Sequence, residues 1–293
     1  MLCADTCPLP TVPASGLCST TRSVIDGMLK KEYGPAYVLG PCLAKGGSAR
    51  VYDVQLQNGG CVVAKAVQRM NQRLVENEVK VYETIGMHSN VATLHTVLRS
   101  IDTGVMAMVL SRPPGRDLLE FLAASKVPLG DNDACRMGHG VASGLAHLHS
   151  YAIVHSDVKI DNILWDHSQK HATLIDFGLA RYVDSNDSCE AHPPYGTLGW
   201  RSPEVLGCGP VVEKSDVFGL GLCVFTACTG TMITNPSMDC SKEEIEHNTR
   251  YLDFGIGGRR WLHSQLRSLV ELMLSRAPAD RPTADQVIIH LGP

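Results

Sequence analysis

Val154-His155-Ser156-Asp157-Val158-Lys159-Ile160-Asp161-Asn162-Ile163-Leu164 is the stretch on which the reading of this chain turns. An Asp, a Lys two positions on and an Asn five positions on stand between the apolar anchors Val154, Ile163 and Leu164. A carboxylate can accept a proton from a hydroxyl, an ammonium can offset charge on a phosphoryl oxygen, and an amide oxygen can hold a divalent cation. Downstream, Leu174-Ile175-Asp176-Phe177-Gly178 adds a second carboxylate after a strand-like run. Either segment alone is also compatible with a polar turn, so their order along the chain carries the argument.

Two further constellations lie upstream. Ala44-Lys45-Gly46-Gly47-Ser48-Ala49-Arg50-Val51 separates two strand-like segments. Small residues there let backbone N–H groups approach phosphate oxygens, although many purely structural turns are as rich in glycine. Lys65 sits in the apolar run Val62-Val63-Ala64-Lys65-Ala66-Val67. A buried ammonium needs a partner, and Glu78 on the following amphipathic segment is the candidate; the other reading is a lysine that snorkels to the surface.

The bulk numbers set the frame. The chain has 293 residues, 44% apolar and 19% charged, with a net charge of −4. That length suits one large domain or two lobes, and the charge gives no reason to expect nucleic-acid or anionic-membrane binding. No run of apolar residues is long enough to expect a transmembrane helix. The start, MLCADTCPLPTVPASG, lacks the basic and apolar regions of a secretory signal. Residues 1–36 read by composition as a flexible leader. The eleven cysteines are odd in number and mostly lie in apolar runs, so they read as buried free thiols of a reducing compartment. Cys3, Cys7 and Cys18 cluster in the leader without a fourth metal ligand nearby.

From Tyr37 the pattern is strand-rich. VYDVQLQ and CVVAKAV flank Asn58-Gly59-Gly60, a hairpin signal. NQRLVENEVKVYETIG places Val75, Val79, Tyr82 and Ile85 on one helical face, and VMAMVL predicts another strand. Helix signals dominate after residue 110. DNDACRMGHGVASGLAHLHS opens with Asp and Asn as capping candidates, and Met137, Val141, Leu145 and Leu148 share a face. DVFGLGLCVFTAC is apolar all round and predicts a helix in the centre of the larger lobe. A β-rich lobe joined to an α-rich one leaves a cleft where ligands usually sit.

At this point the chain resembles the eukaryotic protein kinase superfamily from about Tyr37 to Pro293. Ala44 to Val51 stand at the glycine-rich loop, Lys65 at the strand-three lysine and Glu78 at the helix C glutamate. His155-Ser156-Asp157 with Lys159 and Asn162 stand at the catalytic loop, Asp176-Phe177-Gly178 at DFG and Ser202-Pro203-Glu204 at A-P-E. Asp216 matches the buried helix F aspartate, and Arg281 the arginine that pairs with the A-P-E glutamate. Lys159 and Gly196-Thr197 resemble the serine/threonine class.

The resemblance implies an α+β bilobal protein kinase fold, with a small β-rich N-lobe carrying helix C (about 37–110) and a larger α-helical C-lobe (about 115–293). It implies transfer of the ATP γ-phosphoryl group to Ser or Thr of protein substrates. Asp157 and Lys159 would be catalytic, and Asn162 and Asp176 would hold Mg2+. Leu43, Ala44, Lys45, Gly46, Gly47, Ser48, Ala49, Arg50, Val51, Lys65, Glu78 and Asp117 would bind ATP, Asp117 near the ribose. Leu110 would be the gatekeeper, and Ser111-Arg112-Pro113 the hinge. The expected location is intracellular, in cytoplasm or nucleus, and in a host cell if the chain is viral. Two other classes compete: a pseudokinase that binds ATP as a scaffold, and a small-molecule phosphotransferase of related fold. The first would typically lose one of Lys65, Asp157 and Asp176; the second lacks a counterpart of Glu204, Asp216 and Arg281.

The departures are as informative as the matches. Ala44 and Ala49 replace two of the three lid glycines, and Val63 stands where many kinases have Ala above the adenine. Asp117 and Asp161 suggest a preference for Arg upstream of the phosphorylated residue. Ser156 replaces the arginine that in most kinases binds an activation-loop phosphate, and the usual phosphosite falls on Pro193. Both halves of that switch are missing, so activity is expected without loop phosphorylation, Ser185 and Ser188 notwithstanding. His147, His149 and His155 read as scaffold for the catalytic loop rather than as metal ligands.

Overall fold

The computed structural model describes residues 17–46, 49–67, 72–183, 195–234, 240–251 and 264–292. Gly47, Ser48, Ser185, Ser188 and Pro193 lie outside the described residues. The chain divides into two compact units, Met1–Gln72 with His95–Leu110, and Arg73–Leu94 with Ser111–Pro293. One is rich in strand and the other in helix, as the expected fold class requires.

The first unit is built on β1 (Tyr37–Lys45), β2 (Ala49–Leu56), β3 (Cys61–Val67), β4 (Leu94–Arg99) and β5 (Met106–Ser111), in the spatial order β1-β2-β3-β5-β4. β2 and β3 pair antiparallel around the Asn58-Gly59-Gly60 turn, where Gly59 takes φ +83°. The Leu56 amide donates to the Gly60 carbonyl at 2.8 Å. Side chains alternate across a strand, so Val62, Ala64 and Ala66 share one face of β3 and Val63 and Lys65 the other. Val62, Ala64 and Ala66 join Tyr52 and Val54 of β2 and Ala107 and Val109 of β5 in one buried cluster.

The same cluster contains Ile25, Met28 and Leu29. They belong to α1 (Leu17–Tyr33), which occupies much of the segment expected to be a flexible leader. The Pro, Ser and Thr content of residues 1–16 dominates the composition there, and it hides a short apolar face at Ile25, Met28 and Leu29. The sheet completes that face by burying it.

In the second unit, α2 (Gln72–Ile85) buries Val75, Val79, Tyr82 and Ile85. Although expected with the small lobe, α2 groups from Arg73 onward with the helical unit. Next come β6 (Arg116–Asp117), α3 (Leu118–Ser125) and α4 (Asp131–His149), then β7 (Ile153–Val154), β8 (Ile163–Asp166), β9 (His171–Leu174) and β10 (Arg181–Tyr182). α5 (Pro203–Leu206), α6 (Glu213–Thr229), α7 (Lys242–Tyr251), α8 (Ser264–Met273) and α9 (Ala284–Leu291) complete it. β7 pairs with β10, and β6, β8 and β9 form a three-stranded sheet.

α4 buries Met137, Val141, Leu145 and Leu148 as expected, but its N-cap is Gly130, with no side-chain cap. Asp131 and Asp133 lie inside the first turn instead, where they favour the positive end of the helix dipole. Every residue of α6 from Ser215 to Cys228 is buried. The cysteines divide: Cys223 and Cys228 are buried free thiols, but Cys61 and Cys208 are exposed and Cys42, Cys135 and Cys240 half-buried. Strand alternation puts Cys61 outward, a correction to the general expectation of burial. No helix among the described residues is long and apolar enough to cross a membrane.

Candidate active site

The VHSDVKIDNIL stretch enters through β7, makes a 3-10 turn at Ile160–Asn162 and leaves through β8. Asp216, 2% exposed on α6, is its anchor. Its Oδ2 accepts from the His155 amide at 2.8 Å and from His149 Nε2 at 2.9 Å, and its Oδ1 accepts from the Ser156 amide at 2.9 Å. A buried carboxylate must be saturated with donors, and here two amides of the turn and a histidine of α4 supply them. Ser156 is thereby held at φ +68°, a left-handed conformation that a side chain adopts only at a cost.

The three histidines act as scaffold. His149 donates to Asp216, His147 Nε2 meets the Ile85 carbonyl at 2.8 Å, and His155 Nδ1 accepts from the Asp157 amide at 3.2 Å. The His155 ring also packs edge-on against Phe177, with centroids 5.4 Å apart.

Asp157 is oriented by side-chain and main-chain donors together. Its Oδ1 accepts from the Thr197 amide at 2.7 Å, and its Oδ2 lies 2.9 Å from Lys159 Nζ and 3.3 Å from Asn162 Nδ2. Lys159 Nζ also donates to Thr197 Oγ1 at 2.7 Å. Each carboxylate oxygen carries two acceptor sites, so Oδ1 retains one for an incoming hydroxyl. Asn162 spends its amide nitrogen on the Asp157 carbonyl (2.9 Å) and carboxylate, so Oδ1 is the atom that could hold a cation.

Asp176 follows directly, because the Ile175 amide donates to the Asn162 carbonyl at 3.0 Å. It takes φ +67°, and the Gly178 amide donates to its Oδ1 at 3.2 Å. Glu78, 2% exposed on α2, faces this triplet: a Cβ placed on Gly178 would lie 3.7 Å from Glu78 Oε2. Burial, then the charges of Glu78 and Asp176, push the nearby Tyr82 phenol well above its ordinary value of 10.0. Asn77 fixes the helix by donating to the Ala180 carbonyl at 2.8 Å. Tyr182 adds a hydroxyl contact to Thr84 at 2.8 Å and a ring under Lys80 Nζ at 4.8 Å. Sequence reasoning did not single out Asn77 or Tyr182; the available signal was a polar residue beside Glu78 on an otherwise well-formed amphipathic helix.

The segment from Tyr195 is tied back to the Ser156–Asp157 turn. Gly196 has φ +84°, and a Cβ there would stand 2.6 Å from the Ser156 carbonyl oxygen. Arg201 donates Nε and Nη2 to the Gly196 carbonyl at 2.9 and 2.6 Å. The Arg181 guanidinium lies 4.1 Å from the centroid of the Tyr195 ring. Below, Arg281 forks onto Glu204 at 2.8 and 2.7 Å, and Ser215 adds a third donor at 2.7 Å. Burial raises the Glu204 carboxyl, but the bonds and charge of Arg281 outweigh it, and the net shift is downward.

Of the remaining expected residues, Leu43, Ala44, Lys45, Gly46, Ala49, Arg50 and Val51 form the arms of the β1–β2 hairpin, closed by the Gly46 amide on the Ala49 carbonyl at 2.9 Å. Lys65 stands opposite Val51 on β3. Asp117 caps α3, its Oδ1 accepting from the Glu120 amide at 2.7 Å. The helical unit thus gathers Glu78, Asp157, Lys159, Asn162 and Asp176, and the sheet unit carries the hairpin and Lys65.

The protein kinase domain model matches residues 37–291. A calcium and calcium/calmodulin-dependent serine/threonine-protein kinase of Lilium longiflorum is 29% identical over 229 residues, covering 75% of this chain and 42% of that protein. CBL-interacting protein kinase 20 of Oryza sativa subsp. japonica is 28% identical over 270 residues, 87% of this chain and 56% of that protein. Serine/threonine-protein kinase H1 of Homo sapiens is 27% identical over 226 residues, 76% and 52%. This chain belongs to the protein kinase family, and it spans about half the length of these relatives.

Proposed function

We propose that the chain is an ATP-dependent protein kinase that phosphorylates Ser or Thr on protein substrates. The observation that carries this reading is the orientation of Asp157 by Thr197, Lys159 and Asn162, which leaves an Oδ1 acceptor site for the substrate hydroxyl. Asp157 orients that hydroxyl and takes its proton, and Lys159 offsets charge on the transferred phosphoryl. Lys65 is assigned to the α- and β-phosphates, the β1–β2 hairpin to covering them, and Asp117 to the ribose.

The donor set fits Mg2+. Asn162 Oδ1 and the Asp176 carboxylate are hard oxygen ligands, and Mg2+ is commonly held by one or two such groups together with substrate phosphates. Bound there, Mg2+ would neutralise phosphate charge.

Two finer readings accompany this one. Exposed Asp161 supports a preference for Arg before the target residue. The second reading is that activity does not need a loop phosphate. The Ser156 side chain supplies no cation, and the Tyr195–Arg201 segment is held instead by Arg201 on Gly196 and Arg181 on Tyr195.

The test is radiolabelled ATP with a mixed protein substrate, wild type beside Asp157→Asn, followed by phosphoamino-acid analysis. Label on Ser and Thr from wild type alone supports the proposal. Nucleotide binding without any transfer from wild type would mean a pseudokinase.

A further inference from the structure

We infer that α1 is a built-in brace of the nucleotide-covering hairpin, with Arg22 as its positioning residue. The kinase match begins at residue 37, so Leu17–Tyr33 lies outside the domain shared with the family. Yet Ile25 and Leu29 are fully buried in the core of the sheet. The helix covers the sheet face opposite to the one that Lys65 occupies, by the alternation along β3. It therefore reaches β1 without obstructing the face given to ATP.

The contact falls at an irregular point. β1 runs out of step with β2 between Leu39 and Cys42, and again between Cys42 and Ala44. Each shift inserts one extra residue in β1, which bends a strand and leaves ladder groups without their regular partners. Arg22 meets the first shift directly: Nη2 donates to the Leu39 carbonyl at 2.7 Å and Nη1 to the Gly40 carbonyl at 2.6 Å. Two neighbouring acceptors suit a guanidinium, whose donors are fixed in a fork. Gly40 is required at this point, since a Cβ would meet Asp53 Cβ at 2.9 Å. A second tie lies at the start of the strand, where the Tyr37 hydroxyl meets the Asp26 carbonyl at 2.7 Å and carboxylate at 2.8 Å.

The geometry has a consequence for the lid. Two of its three family glycines are alanine, and the last pair of the β1–β2 ladder, Lys45 opposite Arg50, stands five residues along β1 from Gly40, which Arg22 grips. Where β1 bends sets where the tip points. Arg22 thus acts through β1 on ATP, and touches neither ATP nor the reacting atoms. This rests on the proposed kinase function for its assignment of the hairpin to ATP.

The test measures kcat, KM for ATP, KM for peptide, affinity for a fluorescent ATP analogue, and Tm, in full-length protein. Arg22→Ala is expected to raise KM for ATP about three- to tenfold, the effect of losing two exposed charged hydrogen bonds. The analogue should weaken in parallel, with kcat and the peptide KM within about twofold. Arg22→Lys, which keeps the charge without the fork, should recover part of the loss, and Tyr37→Phe should give a smaller change in the same direction. If Arg22→Ala does not fold, the two milder variants carry the test. A fall in Tm with the ATP KM and analogue affinity unchanged in all variants overturns the brace and leaves α1 as a stabilising helix only. If wild type shows no transfer, the analogue affinities still decide the brace, and the failure belongs to the kinase reading alone.

Discussion

Thr197 and Asp157 are joined by a main-chain bond, the Thr197 amide on Asp157 Oδ1 at 2.7 Å, and Lys159 spans the same two residues from the other side. The segment that begins at Tyr195 therefore sets the orientation of the proposed base. Removing the Asp157 charge also turns one oxygen into a donor that faces Lys159 or Asn162. Asp157→Asn should lose about 10²–10⁴ in kcat, equivalent to about 2.7–5.4 kcal/mol of barrier. Asp176→Asn should instead weaken Mg·ATP binding. Steady-state kinetics with varied ATP and Mg2+ separates the two, and wild-type rates from both variants would refute the assignment.

Glu204 and Arg281 should behave as a buried pair whose halves depend on each other. Arg281 is fully buried, and carbonyls of Ser275, Arg276 and Lys214 take its other donors. Glu204→Gln leaves that charge uncompensated and should cost about 3–5 kcal/mol in urea unfolding. The pH dependence has a defined sign. The Glu204 carboxyl is held below its ordinary value of 4.5, so its contribution is complete above that value and is lost as pH falls through the folded one. Wild type should lose stability on acidification below about pH 4.5 more steeply than Glu204→Gln. Parallel acid limbs would show that the pair contributes nothing.

Most of the Asp157–Asn162 turn was legible because its spacing is local. The spacing of Asp157, Lys159 and Asn162 places all three on one turn, and the run before Asp176 announces the strand ahead of it. The buried ring of donors on Asp216 was legible only through resemblance, since no local pattern shows that His149, His155 and Ser156 converge on one carboxylate. α1 was not legible: its apolar residues bury a face only because a sheet, assembled from residues far along the chain, meets them. The cap of α4 failed for a related reason, since Asp and Asn stabilise a helix start from inside the first turn as well as from the cap. Asn77, Tyr182 and Arg201 bond to main-chain carbonyls or packed hydroxyls, and a sequence carries no mark of such acceptors.

Pro113 gives a pharmacological prediction. Ser111 is fixed by paired contacts with Thr93, its amide on the Thr93 carbonyl and its hydroxyl accepting from the Thr93 amide, both at 2.8 Å. Counting from Ser111, the position that in kinases usually offers adenine a backbone N–H is Pro113, which has none. Inhibitors that need this donor should bind weakly and gain about 0.5–1.5 kcal/mol in Pro113→Ala. Calorimetric titration with a hinge-binding compound reads this directly, and an unchanged affinity would show that the hinge register is displaced.

The final prediction concerns phosphorylation of the loop before Tyr195. Where most kinases place an arginine before the catalytic aspartate, Ser156 has its amide on Asp216 and its carbonyl beneath Gly196. A phosphate has no cation to meet at that position. The downstream segment is held by Lys159 on the Thr197 hydroxyl, by Arg201 on the Gly196 carbonyl and by Arg181 on the Tyr195 ring. None of these contacts uses a loop phosphate, because a hydroxyl, a carbonyl and an aromatic face serve as the acceptors. Phosphatase-treated enzyme, with an unmodified loop verified by mass spectrometry, should keep its full rate, and Ser185→Ala with Ser188→Ala should change it little. Arg201→Met should lower kcat by about tenfold, as expected for one charged hydrogen-bonding group lost from a partly buried site. Tyr195→Leu should cost about two- to fivefold, in keeping with an exposed cation–π contact. Activity that disappears on dephosphorylation and returns when the loop is phosphorylated again would refute this account, because the segment would then depend on a charge that these contacts do not use.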